Sequence, residues 1–228
     1  MKLKLLALAA TSLISVGTMA TTIDYRHDMT DAGGNTHKDR LAISHWFANG
    51  FGIYTDIKWK GGENKNKPYN EQVSNGTEVV ASYVHEMGTW FIEPGFSLES
   101  DSNSNNYRPY VRVAVKITED WSYSFRYRPY YKRTSTTPQS QERGYNLTGV
   151  LTYKYLDWQI DYEMDYKKAT KAGVLLADNE NWKIEHDVKV SYKWDKNWKP
   201  YIQVANIAGA SDSDERNTRF RAGIQYSF

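Results

Sequence analysis

Basic side chains fall on even-numbered positions in two neighbouring stretches of this chain: Arg108, Arg112 and Lys116 in the first, Arg126, Arg128 and Lys132 in the second. Arg219 and Arg221 repeat the two-residue step near the C-terminus, and Arg40 stands in a similar setting near the N-terminus. A guanidinium stays charged at every accessible pH, and its planar fork fits a carboxylate with two hydrogen bonds. Cations stepped along one face form a ladder on which a molecule with several carboxylates moves from rung to rung, provided that each contact is weak enough to release. Tyr110 and Tyr130 share the same face and offer flat rings between the charges, a surface suited to stacking against a sugar.

A two-residue spacing of one chemistry requires a β-strand, because successive strand side chains leave on opposite faces. The odd positions agree: Pro109, Val111, Val113, Val115 and Ile117 alternate with the first basic set, and Trp121, Tyr123, Phe125 and Tyr127 with the second. The last strand places Phe220, Ala222, Ile224, Tyr226 and Phe228 opposite Arg219, Arg221, Gly223, Gln225 and Ser227. Strands that are greasy on one side and charged on the other are the building unit of a transmembrane antiparallel β-barrel, with lipid outside and water inside. An Arg or Lys facing lipid at the bilayer midplane would cost about 2–4 kcal/mol, so the basic face is expected inward.

Composition supports an all-β membrane fold. Lys2 and Lys4, an apolar stretch from Leu5 to Val16 and small residues at Thr18 and Ala20 have the layout of a secretory signal peptide, so residues 1–20 are expected to be a leader and 21–228 a single barrel domain. That apolar stretch is too short to span a bilayer as a helix, and no later segment approaches the roughly 18–20 apolar residues needed. The mean hydropathy of −0.72 is no sign of solubility, since alternation averages away the lipid-facing half of each strand. The chain has no cysteine, hence no disulfide or thiolate metal site. Its 18 Tyr and 8 Trp are accounted for by aromatic girdles at the two membrane interfaces. Without the two leader lysines the formal charge is near zero, so only the placement of charge can indicate a partner.

Alternation, punctuated by Gly, Asn, Asp, Pro and Ser clusters, predicts about twelve strands. They fall near 22–28, 39–47, 50–60, 74–86, 89–100, 106–117, 121–134, 143–155, 157–167, 181–194, 198–209 and 217–228. Tight connections such as Ala48-Asn49 and Leu156 alternate with longer polar ones such as 61–73 and 168–180. An even strand count puts both termini on the short-turn side, which faces the periplasm, and the longer loops outside. The opposite wall is mixed: Asp161, Glu163 and Asp165 face the same way as Lys167, and Glu185 and Asp187 as Lys183 and Lys189.

Other readings of these residues are weaker or untested. Inward arginines and acids that satisfy one another would plug a narrow barrel and leave no path. His27, His37, His45, His85 and His186 sit in no catalytic string, and His186 and Asp187 point to opposite faces, so no catalytic residue is assigned. The acidic loop Ser211-Asp212-Ser213-Asp214-Glu215 lacks spaced calcium ligands and reads as solvated; no metal or other cofactor is expected. A non-transporting adhesive barrel would also suit the long polar loops.

Longer strings narrow the choice. Asp24-Tyr25-Arg26-His27, Asn106-Tyr107-Arg108-Pro109-Tyr110, Arg126-Tyr127-Arg128-Pro129-Tyr130, the segment from Ser191 to Tyr201 and the terminal Gly223-Ile224-Gln225-Tyr226-Ser227-Phe228 closely resemble the KdgM-type oligogalacturonate-specific porins of Gram-negative outer membranes. The likeness covers essentially everything after the leader. It implies a monomeric twelve-stranded barrel in outer-membrane lipid, passing acidic oligosaccharides through an arginine-lined pore. Oligogalacturonate is the expected cargo, sialic acid the alternative, and no nucleic acid is expected as a partner. The resemblance places Arg108, Arg112, Arg126, Arg128, Lys132, Arg219 and Arg221 in the pore. Ala114 stands where it implies a further arginine; Lys116, one step along, keeps the charge without the fork.

Overall fold

The computed structural model describes residues 20–32, 36–61, 71–135 and 140–228. Its strands are β1 (Ala20–Thr30), β2 (Thr36–Trp46), β3 (Phe51–Lys60), β4 (Val73–Tyr83), β5 (His85–Met87), β6 (Trp90–Ser100), β7 (Ser104–Lys116), β8 (Trp121–Thr134), β9 (Gln141–Tyr155), β10 (Trp158–Ala169), β11 (Trp182–Tyr192), β12 (Trp198–Ala208) and β13 (Arg216–Ser227). No helix occurs among the described residues. Of the expected leader, 1–20, only Ala20 is among them.

Sequence neighbours pair antiparallel around the sheet, and two further pairings close it. β1 joins β13 from Thr22 opposite Ser227 to Thr30 opposite Arg219, and β4 joins β6 directly. The result is a closed barrel of twelve staves, which leaves no open sheet edge in lipid. The thirteenth element, β5, is a continuation of β4 rather than a stave. Both halves meet β6 in one register, Ser82 opposite Gly95 and His85 opposite Ile92. The gap between them falls opposite Pro94, which has no N–H to give the ladder. The stretch expected as one strand over 74–86 is therefore one stave broken by a proline on its neighbour.

The short connections lie at the end where the chain terminates, and the Phe228 N–H closes the last strand onto the Thr21 carbonyl at 3.0 Å. Gly50, at φ 87°, turns β2 into β3 where any Cβ would come 2.6 Å from the Val84 carbonyl oxygen, so no larger residue fits. Between β11 and β12 the Asp195 carboxylate accepts the Trp198 and Asn197 N–H groups, each at 2.7 Å. These bonds, Trp198 first, hold the Asp195 carboxyl below its ordinary range.

Outside, the barrel is apolar: Ile43, Ile57, Val79, Val111, Phe125 and Ile202 are all exposed. Rings gather in two belts. At the short-turn end Trp121 meets Tyr153 (4.6 Å between centroids), Trp158 meets Tyr192 (4.8 Å) and Trp198 meets Tyr226 (4.7 Å). At the loop end Tyr127, Tyr145, Tyr166 and Trp182 form a continuous series. Such belts mark the two membrane interfaces. Asp39 is an acid on this outer face, opposite Trp59. It is tolerated because its carboxylate is almost wholly covered and accepts hydrogen bonds from the Tyr25 hydroxyl (2.8 Å) and the His27 ring (2.9 Å).

The inner face is polar. Buried polar and charged side chains outnumber buried apolar ones, and the few apolar ones include Val84, Phe91 and Ala114. Four inward aromatics lie flat on glycines directly opposite: Trp46 on Gly52, Tyr110 on Gly95, Tyr130 on Gly144 and Tyr201 on Gly223. A Cβ on any of these glycines would meet the ring at 2.8 Å or less, so each bare backbone is the bed for its aromatic.

Candidate functional site

The parity of β7 and β8 holds: Arg108, Arg112, Arg126, Arg128 and Lys132 project to the interior, while Pro109, Val111, Phe125 and Tyr127 face out. Lys116 ends β7 at the short-turn mouth and is exposed there, and Lys132 stands toward the loop end. Arg40, Arg219 and Arg221 also point inward, from β2 and β13. A cavity of about 250 Å³ in the lumen is lined by Arg40, Arg112, Arg126 and Arg128 together with Tyr110.

These cations are not equivalent, because carboxylates one or two strands away neutralise most of them. Arg108 is fully engaged: its two terminal nitrogens reach Glu78 and Glu99, both at 2.8 Å, and its Nε donates to Ser97 Oγ at 3.1 Å. Arg112 pairs with Glu93 directly opposite on β6. Arg40 reaches Asp24 at 3.3 Å. Arg221 spans Asp28 (3.0 Å) and Asp187 (3.3 Å), and Arg219 shares Asp187 at 3.2 Å. Mutual satisfaction, the expected property of a plugged barrel, is thus realised along much of the wall.

Arg126 and Arg128 are the exceptions within the cavity. Among the described residues neither has a carboxylate within 4.0 Å. Arg126 donates to Thr148 Oγ1 at 3.3 Å and lies 6.0 Å from the centre of the Tyr110 ring. Their cross-strand neighbours on β9 are neutral, Thr148 and Asn146, and both Nε groups lack a hydrogen-bond partner. On the β7 side Arg126 stands directly opposite another cation, Arg112. The two guanidinium groups are therefore held at the cavity without a directly bonded carboxylate, with Glu163 acting on Arg126, and Glu78 and Asp165 on Arg128, only at longer range.

The two tyrosines differ as well. Tyr110 lines the cavity and donates to Glu93 at 2.8 Å, which fixes its ring beside Arg126. Tyr130, expected to stack on a sugar, is only 4% exposed. Gly144 backs one face of its ring, Lys167 Nζ stands 4.5 Å from the ring centre, and its hydroxyl donates to Glu142 at 2.6 Å. That ring is part of the wall, so the expectation is corrected. Ala114 is 1% exposed and packs with Val84 and Phe91, a place where an arginine would displace apolar contacts. On the outer face His186 bonds the Tyr162 hydroxyl at 2.8 Å, away from Asp187.

Sequence reasoning passed over two inward lysines nearer the short-turn end, Lys154 and Lys199, which stand there with Lys189 of the mixed wall. Lys199 donates to Gln159 at 2.9 Å, and Lys189 stands 3.7 Å from the centre of the Tyr201 ring. Parity with Thr152 for Lys154 and with Tyr201 for Lys199 was the signal that could have found them.

A family model described as oligogalacturonate-specific porin protein (KdgM) matches residues 14–228. The chain belongs to the KdgM family. The oligogalacturonate-specific porin KdgM of Dickeya dadantii (strain 3937) is 55% identical over the full length of both chains. A solved structure titled KdgM porin in complex with disordered oligogalacturonate is 49% identical, covers 91% of this chain and 99% of that one, and superposes with a TM-score of 0.70. The NanC porin, 19% identical with a TM-score of 0.74 over 90% of this chain and 98% of its own, shares the fold. This member of the KdgM family is an outer-membrane porin, and its barrel is the multi-strand membrane domain.

Proposed function

We propose that this porin is a passive, anion-selective channel for acidic oligosaccharides, oligogalacturonates foremost, working as a monomer in outer-membrane lipid. The observation that carries the reading is the pair of guanidinium groups, Arg126 and Arg128, that face the lumen cavity with no directly bonded carboxylate among the described residues. A galacturonate oligomer bears one carboxylate per ring, so a ladder of cations holds successive units without holding any one tightly. Arg40 and Arg112 sit at the same cavity with their charge shared by Asp24 and Glu93. Arg108, Arg219 and Arg221 shape the field from neutralised pairs, Lys132 and Lys116 attract anions at the two mouths, and Tyr110 offers its ring beside Arg126. The binding of oligogalacturonate named for the KdgM complex supports the same cargo. Acids and bases spent on one another and on a track of static charge support passive passage without chemistry. The closed sheet, with no edge to pair, favours the monomer.

Liposome swelling tests this. Proteoliposomes should admit trigalacturonate faster than a neutral trisaccharide of similar size and faster than sialic acid, and the advantage should shrink in 1 M salt, where the screening length falls to about 3 Å. Equal rates for the charged and neutral trimers would refute it.

A further inference from the structure

The arginines deal with carboxylates; the cavity also contains an aromatic face that no carboxylate needs. Trp46 ends β2 on the inward side, in line with Arg40, Ala42 and Ser44, and lines the same cavity as Arg112, Arg126 and Arg128. The six-membered part of its indole rests on Gly52, where a Cβ would approach within 2.5 Å, so one face is held by backbone. The side chain also packs against the buried cluster of Val84, Phe91 and Ala114. The ring is thereby fixed flat on the wall while still only partly buried.

The cluster lies one inward step below the cations. Phe91, Ala114 and Ser124 are opposite one another across β6, β7 and β8, and the next inward residues toward the loops are Glu93, Arg112 and Arg126. Two residues along a strand span about 7 Å, close to the size of one pyranose ring. We propose that Trp46 is the sugar platform of this channel: its free indole face takes the apolar C–H face of a pyranose whose carboxylate is held by Arg126 or Arg128. In the galacto configuration O4 is axial, which collects the C3, C4 and C5 hydrogens on one face and gives that ring a flat apolar side. Apolar contact with a few placed polar groups is the general design of a site that orients its ligand, and the platform makes the channel read the ring as well as the charge. It rests on the oligogalacturonate reading above.

Planar-bilayer recordings with trigalacturonate and with citrate as blockers separate the two contributions, because both carry three carboxylates and only the first has pyranose rings. Trp46→Ala should weaken the trigalacturonate block at least fivefold while citrate block and chloride preference stay within twofold of the native channel. Trp46→Leu, which still covers Gly52 but has no flat face, should behave like Trp46→Ala and guards against a barrel that fails to fold; Trp46→Phe should retain most of the block. An unchanged trigalacturonate block in Trp46→Leu, or an equal loss for both blockers, overturns the platform while leaving the channel reading intact. Absence of trigalacturonate block in the native channel overturns both.

Discussion

Two walls of this barrel carry arginines at the same two-residue step and use them differently. On β13 and β1 the guanidinium groups of Arg219, Arg221 and Arg26 are bound to Asp187 and Asp28 at 2.6–3.3 Å, a network closed upon itself. On β8 the equivalent groups of Arg126 and Arg128 face Thr148 and Asn146 across the strand and have no carboxylate within 4.0 Å among the described residues. The first arrangement staples strands in a wet interior; the second presents charge to whatever passes. Parity decides which side of the sheet a charge occupies, and the carboxylates within reach on the inner face, directly opposite as Glu93 is to Arg112 or two strands away as Asp187 is from Arg219, decide whether that charge is available.

The strongest way to break the contrast is to empty the β8 wall. Arg126→Ser with Arg128→Ser should collapse the anion preference measured from reversal potentials in a salt gradient and weaken trigalacturonate block tenfold or more. Each charge-assisted contact is worth about 1.5–3 kcal/mol before solvent screening, and about 1.4 kcal/mol is a factor of ten. Unchanged reversal potentials would remove Arg126 and Arg128 from the path. A smaller effect of opposite sign should follow on the other wall. Asp187→Asn takes away the partner shared by Arg219 and Arg221, and Arg221 keeps Asp28. Arg219 then joins Arg126 and Arg128 as an inward guanidinium without a directly bonded carboxylate, and anion preference should rise by less than twofold in permeability ratio. A fall would mean that the freed guanidinium finds another acid.

Most of the architecture was legible because a barrel strand must separate lipid from water residue by residue. The alternation in 121–134 and 217–228 gave both the strands and their inward faces, and the aromatic belts follow from the same rule. What one strand cannot disclose is register. That Arg112 faces Glu93 while Arg126 faces Thr148 depends on how four strands, β6 to β9, slide past one another, and this separates a stapled arginine from a free one. The broken stave had the same origin: Pro94 is ordinary within β6, and its effect appears only on the strand that needed its N–H. Tyr130 was misjudged because its parity with Arg128 is real, while the bed that buries it, Gly144, comes from β9. Trp46 shares the parity of Arg40 and was legible in principle, but an aromatic at a strand end reads as girdle.

The finest test leaves net charge alone. Glu93 and Arg112 are among the least exposed charged groups of the lumen, with side chains 5% and 3% exposed, and they form a directly opposed pair. Replacing both, Glu93→Leu with Arg112→Met, removes one negative and one positive charge together from a layer that already borders Phe91, whose ring lies 5.2 Å beneath the guanidinium. If paired arginines act only as staples, reversal potentials should match the native channel and trigalacturonate block should change by less than twofold. Replacing a buried ion pair by apolar groups of similar size is often neutral or stabilising, by up to about 4 kcal/mol, so the barrel should keep its resistance to unfolding in detergent. Removing Glu93 alone strands a buried cation and should destabilise by about 3–5 kcal/mol. A double variant that folds yet loses anion preference would show that Arg112 serves the path despite its partner, and the division between the stapled and the free arginines would have to be redrawn one strand wider.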